Sequence, residues 1–424
     1  MAKNSRSPLQ SGRASTAAIL GYTWDADIFR TDDAMKATGL TRSTTINALD
    51  ELISLGLIRE LSNTRADNSY RFGRPSRRFE FRANAGILLG IDAGRSSTTI
   101  TVADLRGKAV ARFQHRLESS DVIPQRRRLA LFDSITQVLN AASLSVDDVV
   151  AVTVGVPAPV DSLGHSPSHP DGFWQDMNPG FQDYLKDTFP IVRVENDATL
   201  AAHAEALLGS MTNSQNFVSL LAGRRLGAGV MLDGNVVHGT HGGVGELEVF
   251  NYVKGLEHQS GLVDLIDRWI KEDLESGVIP ATHPLAQIPL SELTAELEIP
   301  YMHLSDPAMQ PVVERVGEFL ARSCEVFSCL YDPEYVVVCG QIAQAIGDAI
   351  THAQKLLDSR AYLPVPRLVP STLGNDIVSL GAVASARSAA QAGILALRSE
   401  QPQPKQPQAT RGAQSELLPT AQPE

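Results

Sequence analysis

Apolar positions recur at two different spacings and divide the chain into two parts. In residues 14–53 they follow the 3.6-residue period of amphipathic helices, as Ile46, Leu49 and Leu52 show within segment 41–53. From residue 86 onward, short β-branched runs take over, and they end in glycine or polar residues. This pattern predicts a small helical domain followed by a larger α/β domain.

The helical part has the order of a helix-turn-helix. A helix over 14–24 precedes a short helix over 31–38, which has Thr31 as its cap and ends on Gly39. The next helix, 41–53, would enter the major groove of DNA with its first turns. We therefore expect its polar face to contact phosphates and base edges through Thr41, Arg42, Ser43, Thr44 and Asn47. A small three-helix domain with a hairpin is the alternative.

Two extended segments, near 58–61 and 70–81, flank a polar loop and predict a wing. Gly73, Arg74 and Arg77 lie in the second segment, where glycine and proline keep the chain flat and extended. Arginines on such a chain suit the negative potential of a narrow minor groove, so we expect these residues to contact DNA. A solvated basic loop is the other interpretation.

Repeated units of strand, glycine turn and helix predict a two-lobed α/β domain with a cleft. One buried strand, 87–92, ends at Asp92 and leads into a turn with Gly94. Backbone N–H groups in such a turn suit a phosphate, although an ordinary hairpin has the same residues.

A second strand end carries three polar residues. The β-branched run 191–194 stops at Glu195, Asn196 and Asp197 and gives way to an alanine-rich helix. Open α/β sheets bind ligands at the carboxyl ends of their strands, and an Asn-Asp pair there suits sugar hydroxyls. A carboxylate is also a candidate general base, whereas the simpler interpretation is that Asp197 caps the helix.

Composition and charge narrow the class of protein. The 424 residues allow two or three domains, and we find no apolar run long enough to span a bilayer. Residues 1–13 lack the apolar core of a signal peptide, so we expect a cytoplasmic protein without membrane contact. Three cysteines, Cys324, Cys329 and Cys339, lie in apolar segments, which predicts buried, reduced thiols.

The net charge of −11 is distributed unevenly. Residues 1–82 carry 13 Lys and Arg against 9 Asp and Glu, a balance of +4, whereas the remainder carries 24 against 39, a balance of −15. The first part can therefore meet a polyanion such as DNA, and the rest cannot easily do so.

Seven short motifs together give residues 14–398 a resemblance to the ROK family of repressors and sugar kinases. They are Gly-Leu-Thr-Arg-Ser-Thr at 39–44, Gly-Arg-Pro at 73–75, Gly-Ile-Asp-Ala-Gly at 90–94, Gly-Val-Pro-Ala-Pro-Val-Asp at 155–161, Glu-Asn-Asp-Ala at 195–198, Gly-Ala-Gly at 227–229 and Gly-Gly-Val-Gly-Glu at 242–246. The resemblance implies an N-terminal winged helix-turn-helix domain followed by a two-lobed, actin-like ATPase/sugar-kinase fold.

The domain bounds follow from this organisation. We expect the winged helix-turn-helix over 14–82, a first lobe over 83–198 that is completed by a helix near 381–398, and a second lobe over 199–380. The polar ends, 1–13 and 399–424, are expected to be disordered.

The resemblance also implies a sugar site. Asn196 and Asp197 would hold sugar hydroxyls, with Asp197 in the position of the base that the family's kinases use. Glu246 and Glu257 match two further sugar ligands of the family, and Ala158 belongs to the motif at 155–161.

Two departures from the family's pattern argue against a metal and against catalysis. Val249 stands where family members usually have a histidine, and no cysteine lies between Glu246 and Gly261, so we expect no zinc and no cofactor. Long cationic side chains at Arg224 and Arg225 replace small residues of the phosphate loop. We therefore expect a degenerate nucleotide site at Asp92, Gly94, Arg224 and Arg225, and no catalytic residue.

These features predict a sugar-responsive DNA-binding transcriptional regulator, expected to repress carbohydrate genes. It would bind a double-stranded operator as a homodimer or a dimer of dimers and a small sugar as effector. An active ROK sugar kinase with an added DNA-binding domain is the alternative. A DNA-binding protein whose cleft has no ligand is a third possibility.

Overall fold

A computed structural model of the chain describes residues 8–62, 77–118, 123–256, 261–360 and 364–400, with side chains from Arg13 onward. Of the predicted site residues, Gly73, Arg74 and Glu257 lie outside the described residues. Residues 1–7 and 401–424 of the two ends also lie outside them.

The first domain is a winged helix. It has three helices and a three-stranded antiparallel sheet in the order β1-β3-β2. Its core contains aromatic pairs. The ring of Phe29 stacks on that of Phe79 with 5.7 Å between ring centres, and the ring centres of Trp24 and Phe81 are 4.9 Å apart. The elements are α1 Pro8–Asp25, β1 Phe29–Arg30, α2 Thr31–Thr38, α3 Arg42–Ser54, β2 Ile58–Leu61 and β3 Arg78–Phe81.

Two details of the helix ends differ from the sequence-based expectation. Helix α1 begins at Pro8, so the expected disorder of 1–13 is wrong from Pro8 onward. Thr31 is buried in the first turn of α2 and does not cap it. Instead Asp33 accepts a hydrogen bond from the backbone N–H of Arg30 at 2.8 Å, because an acid in the third position reaches back to the helix start. Gly39 ends this helix with φ +69°, as predicted.

Two five-stranded sheets follow, and they share one arrangement. In each, a three-stranded antiparallel meander is extended by two parallel strands, in the orders β6-β5-β4-β7-β8 and β11-β10-β9-β12-β13. The first sheet has β4 Ile87–Ala93, β5 Ser97–Asp104, β6 Ala109–Arg116, β7 Val149–Val156 and β8 Val192–Asn196. The second has β9 Phe217–Ala222, β10 Leu226–Leu232, β11 Asn235–Val236, β12 Tyr335–Cys339 and β13 Arg367–Pro370. The α/β class with two lobes is confirmed.

Two helices occupy the space between the sheets. Helix α12 packs on β4 and β7, helix α7 packs on β9 and β10, and the two helices pack on each other. The helices of this part are α4 Pro124–Ala141, α5 Phe173–Met177, α6 Phe181–Leu185, α7 Asp197–Leu207, α8 Leu262–Ser276, α9 Ala295–Glu298, α10 Gln310–Tyr331, α11 Gly347–Arg360 and α12 Ile377–Glu400.

Glycines permit this close packing. A Cβ at Gly381 of α12 would lie 1.9 Å from the Leu200 carbonyl oxygen of α7, and one at Gly90 of β4 would lie 2.3 Å from the Ser379 carbonyl oxygen. A Cβ at Gly229 of β10 would meet the Ala198 carbonyl oxygen at 2.1 Å. Any larger residue would therefore force backbones apart.

The winged helix shares a hydrophobic core with the first sheet and α12. Trp24 is fully buried and donates a hydrogen bond from its indole N–H to the Leu105 carbonyl at 2.8 Å. Val383 and Ala386 of α12 belong to the same cluster of buried side chains. Arg387 of α12 forms an ion pair with Asp25 at the end of α1. Helix α12 thus contacts both the first sheet and the winged helix.

Two expectations about apolar segments change. Within the described residues, Gly374–Glu400 is long and apolar enough, by length and composition, to cross a membrane, contrary to our reading of the sequence. Its apolar residues face β4, β7 and α7, as in a core helix. Cys329, in the last turn of α10, is exposed, contrary to expectation, whereas Cys324 and Cys339 are buried as expected.

Replacing Gly381 with alanine tests the contact between α7 and α12. The new methyl group would overlap the Leu200 carbonyl, so we expect the free energy of unfolding to fall by about 1–3 kcal/mol, measured by denaturant titration. Gly21→Ala is the matched control, because Gly21 lies in α1 with no atom near its Cβ position. It should be neutral or stabilising by up to about 1 kcal/mol. Equal effects of the two substitutions would contradict this account.

Candidate functional site

A cavity of about 190 Å³ lies between the two lobes at the carboxyl end of β8. The first lobe contributes residues from β8, from α7 and from the loop after β7, and the second lobe contributes residues after β9 and before α8. The lining residues that concern the chemistry are His169, Trp174, Asn196, Asp197, Arg225 and Glu246.

Asn196 and Asp197 divide the roles expected at the start of α7. Asn196 is the helix cap, since its side-chain oxygen accepts a hydrogen bond from the Thr199 N–H at 3.0 Å. Its amide nitrogen donates to the Ala158 carbonyl at 3.2 Å. Asp197 does not serve as the cap, and its carboxylate lines the cavity while it accepts from the Ala198 N–H at 2.8 Å. Ala158 itself is buried, and its backbone carbonyl accepts the hydrogen bond from Asn196.

The Gly-Gly-Val-Gly-Glu segment carries Glu246 into the cavity. Gly242 has φ +70°, and a Cβ there would meet the Val160 carbonyl oxygen of the first lobe at 1.9 Å. Gly245 has φ +89°, and a Cβ there would meet the Ala228 carbonyl oxygen of β10 at 1.7 Å. Glycine is required at both positions, because the segment passes between two backbones in left-handed conformations.

Three buried carboxyl groups make the cleft unfavourable for further negative charge. Burial raises the pKa of Asp197 to about 8, and the charges of Asp92 and Glu246 raise it further. Burial also raises the pKa of Asp92 to about 7, against the opposing charge of Arg127. Burial raises the pKa of Glu246 to about 7, against the charge of Arg225. Such acids both accept and donate hydrogen bonds near neutral pH, which suits the hydroxyl groups of a neutral ligand.

His169 and Trp174 also line the cavity, and our sequence reasoning did not find them. Their rings are 4.4 Å apart, and His169 Nε2 lies 3.6 Å from Glu248 Oε1. His169 lies in the irregular loop after β7 and Trp174 in the short helix α5 that follows it, where no periodic pattern in the sequence marks a position. The dipeptide Phe-Trp at 173–174 in an otherwise polar loop was the available signal. An aromatic face beside polar groups suits the apolar C–H face of a sugar ring.

Arg225, one of the residues assigned to a degenerate nucleotide site, contacts another unexpected side chain, Phe173. The guanidinium of Arg225 lies 4.0 Å from its ring centre, and that of Arg95 lies 6.0 Å from it. Arg224 points elsewhere and pairs with Asp264 at 3.0 Å. Two cationic side chains from different lobes thus contact one aromatic ring.

The two phosphate-type loops are also covered by their own neighbours. Gly261 packs against residues 223–225, where a Cβ would lie 2.2 Å from the Gly223 carbonyl oxygen, and its N–H donates to the Arg224 carbonyl at 2.9 Å. In the first lobe, buried Arg127 donates to the Gly94 carbonyl at 2.9 Å. Asp92 stands beside this turn as the last polar residue of β4. Neither turn presents the open loop of small residues that phosphates bind.

The start of α3 presents the expected polar face. Thr41, Arg42, Ser43 and Asn47 are exposed, and Thr44 is half-buried. The Thr41 hydroxyl caps the helix and contacts the Thr44 hydroxyl at 2.9 Å. Arg42 pairs with Asp32 at 3.2 Å, but both side chains are more than two-thirds exposed, so this pair is weak and a DNA phosphate can displace it.

Arg77 is placed differently from its expected role. It binds Glu60 at 2.8 Å and Asp50 at 2.9 Å, and its guanidinium lies 5.1 Å from the Phe79 ring centre. The hydrogen bond to Glu60 raises its pKa, although burial opposes this shift. Arg77 therefore fastens the base of the wing to α3 in this structure, and DNA contact would require it to leave two carboxylates.

The segment after Glu246 shows no metal-binding arrangement among its described residues. Residues Glu248–Tyr252 form a short 3-10 helix, and Val249, at the position of the family's histidine, is 42% exposed. Within the described residues, a group with suitable ligand atoms lies elsewhere, at Glu195, His203 and His238.

A winged helix is joined to two lobes of similar strand arrangement, with Asn196 and Asp197 at the cleft between them. Residues 88–248 match the sequence model of the ROK family.

Named relatives have two kinds of activity. The chain is 22% identical over 352 residues to the xylose repressor of Bacillus spizizenii, covering 81% of this chain and 87% of that protein. It is 23% identical over 322 residues to the glucokinase of Halalkalibacterium halodurans, covering 69% of this chain and 92% of that protein. The crystal structure of a ROK family transcriptional regulator, a homologue of the E. coli MLC protein, superposes with a TM-score of 0.71 at 20% identity and covers 92% of this chain and 98% of that one. This last likeness shows the fold.

The raised pKa of Asp197 makes the ligand-free protein less stable at high pH. The folded state keeps this proton up to about pH 8, whereas the unfolded chain releases it near the ordinary value of 3.8. Stability therefore falls as the pH rises between these values. Asp197→Asn removes the loss, so we expect the thermal midpoint of the variant to exceed that of the wild type at about pH 9 and to approach it at about pH 5.

Differential scanning calorimetry at the two pH values measures this effect. Asp187→Asn is the control, because Asp187 is exposed at the end of α6. If the difference between Asp197→Asn and the wild type is the same at both pH values, the buried charge of Asp197 is not its cause.

Proposed function

We propose that the protein is a sugar-responsive transcriptional regulator that acts in the cytoplasm as a repressor. Its winged helix binds an operator, and its two-lobed domain binds a sugar or a sugar derivative without phosphorylating it. The observation that carries this proposal is the convergence of Asn196, Asp197 and Glu246 on one interlobe cavity in a chain that also presents the exposed polar face of α3.

The cavity has the chemistry of a sugar site. Carboxyl and amide side chains line the cavity together with Trp174, so hydroxyls and a C–H face can be bound together. Glu257 remains a predicted ligand outside the described residues. His169 joins the proposed set, since it lies between Trp174 and Glu248.

Two observations support the absence of kinase activity. Arg225 and Arg95 contact Phe173 in the space between the phosphate-type loops, and a nucleotide would have to separate them. The raised pKa of Asp197 leaves its carboxyl group protonated at neutral pH, unlike a base that is ready to accept a proton. Because a glucokinase is among the relatives, an active sugar kinase is the alternative function.

Ligand binding would act through a shift between two relative positions of the lobes. A sugar that contacts Asp197 in the first lobe and Glu246 in the second favours the arrangement in which both are near. Helix α12 lies beside α7 and also contacts the winged helix through Val383 and Arg387. In a homodimer this movement would change the spacing of two reading helices on their half-sites.

A thermal-shift screen of monosaccharides, disaccharides and their phosphates tests the sugar site. We expect at least one neutral sugar to raise the unfolding midpoint. Calorimetric titration of that sugar should show about a tenfold or greater loss of affinity for Glu246→Gln, because an amide nitrogen replaces a carboxyl oxygen that accepts a hydrogen bond. Glu272→Gln, at an exposed position of α8, is the control. A screen without any hit would favour a cleft with no ligand.

The same sugars separate a sensor from a kinase. With ATP, magnesium and each sugar, we expect no ADP release above the ATP-only rate in a coupled assay. Sugar-dependent ADP release that Asp197→Asn abolishes would establish the kinase alternative instead.

Replacing Arg42 tests the DNA face. An operator can be selected from random duplexes and its affinity measured at several salt concentrations. We expect Arg42→Ala to weaken binding and to reduce the slope of log affinity against log salt by about one charge. Arg268→Ala, a substitution on half-exposed α8 of the second lobe, should leave both unchanged. An unaltered slope for Arg42→Ala would remove this residue from the interface.

A further inference from the structure

Two histidines and a glutamate meet on the side of β8 away from the sugar cavity. Glu195 is in β8, His203 is in α7, and His238 follows β11 of the second sheet. One ligand atom from each lies within 4.8 Å of the other two, and His238 Nε2 is 3.1 Å from Glu195 Oε2. The three residues therefore face a common point from three elements.

We propose that Glu195, His203 and His238 bind one divalent transition metal ion of the zinc class. Imidazole nitrogens and a carboxylate oxygen are ligands that zinc takes at about 2.0–2.2 Å, and a small inward movement of the three side chains provides this distance. The His238 side chain is 49% exposed, so solvent reaches the site and supplies a water as fourth ligand.

The protonation states suit a metal. Burial lowers the pKa of His203, which keeps its imidazole neutral. Burial raises the pKa of Glu195, but the hydrogen bonds from His238 and Ser385 oppose it, and the net pKa is lowered. The hydrogen bond to Glu195 raises the pKa of His238. A metal ion would take the place of that His238 proton.

Further hydrogen bonds orient the carboxylate. Ser385 of α12 donates from its hydroxyl to Glu195 Oε1 at 3.1 Å, and the Thr153 hydroxyl donates to Ser385 at 3.4 Å. One oxygen of Glu195 is thereby held toward α12, and Oε2 faces the histidines. Second contacts of this kind fix ligands in metal sites and contribute to metal affinity.

The position of the site connects it to the sugar cavity. Glu195 directly precedes Asn196, and the chain after His238 leads to Glu246. A bound ion would join these two segments across the lobes and hold both near the cavity. This site differs from the segment after Glu246, for which the sequence predicted no zinc.

Titration of the full-length protein, first treated with EDTA, tests the proposal with Zn²⁺ and with Co²⁺ as a visible probe. Calorimetry should show one ion per chain, and zinc should raise the thermal midpoint. We expect His203→Gln and His238→Gln each to lower zinc affinity at least about tenfold. His241→Gln is the matched control, three residues beyond His238 and exposed, and should bind zinc as the wild type does.

Other outcomes would overturn the proposal. Wild-type zinc affinity in His238→Gln, which removes a half-exposed side chain and should not prevent folding, would show that this cluster does not hold the ion. Loss of affinity in His241→Gln or His258→Gln with none in His203→Gln would place the ion on other histidines. If the wild type binds no zinc, the proposal is wrong, and His238 and Glu195 form a hydrogen-bonded pair without a metal ion.

Discussion

The contact of α7 with α12 is the constraint on which the rest of the structure depends. The two helices meet where Gly381 lies against the Leu200 carbonyl, and each is packed on one of the two sheets. This distance sets how far apart the lobes stand at the end of β8, and thereby whether Asp197 and Glu246 reach one ligand. The glycine motifs at 90–94 and 227–229 are first of all solutions to this packing, because Gly90 and Gly229 also touch backbone atoms of the same two helices.

Electrostatics then decides which ligand can enter. Asp197 and Glu246 line the cavity, Asp92 acts on Asp197, and all three carboxyl groups have raised pKa values, so they can exchange hydrogen bonds with the hydroxyls of a neutral polyol. Arg225 lowers the pKa of Glu246 from one side and contacts Phe173 on the other. A side chain that first suggested a damaged phosphate loop therefore serves to balance charge and to fill the space between the lobes.

Local patterns in the sequence predicted those parts of the site that belong to regular elements. Asn196 and Asp197 follow a strand with clear periodicity, and the polar face of α3 follows from its apolar one. His169, Phe173 and Trp174 were missed because they lie in an irregular loop and in the five-residue helix α5 after it, whose path depends on distant contacts. The ion pairs of Arg77 were missed for a similar reason, since its partners Asp50 and Glu60 come from separate elements and meet only after the wing has folded.

The fold distributes its aromatic residues in a way that allows motion to be observed. The chain has three tryptophans, and each lies in a different region. Trp24 is buried where the winged helix meets the first lobe, Trp174 lines the cavity, and Trp269 lies on α8 with Arg315 over its ring at 5.5 Å. The intrinsic tryptophan fluorescence of the native protein can therefore report on both regions. Quenching of Trp174 fluorescence would follow ligand binding in the cavity, whereas a change in Trp24 fluorescence would show that the contact between the first lobe and the winged helix has changed.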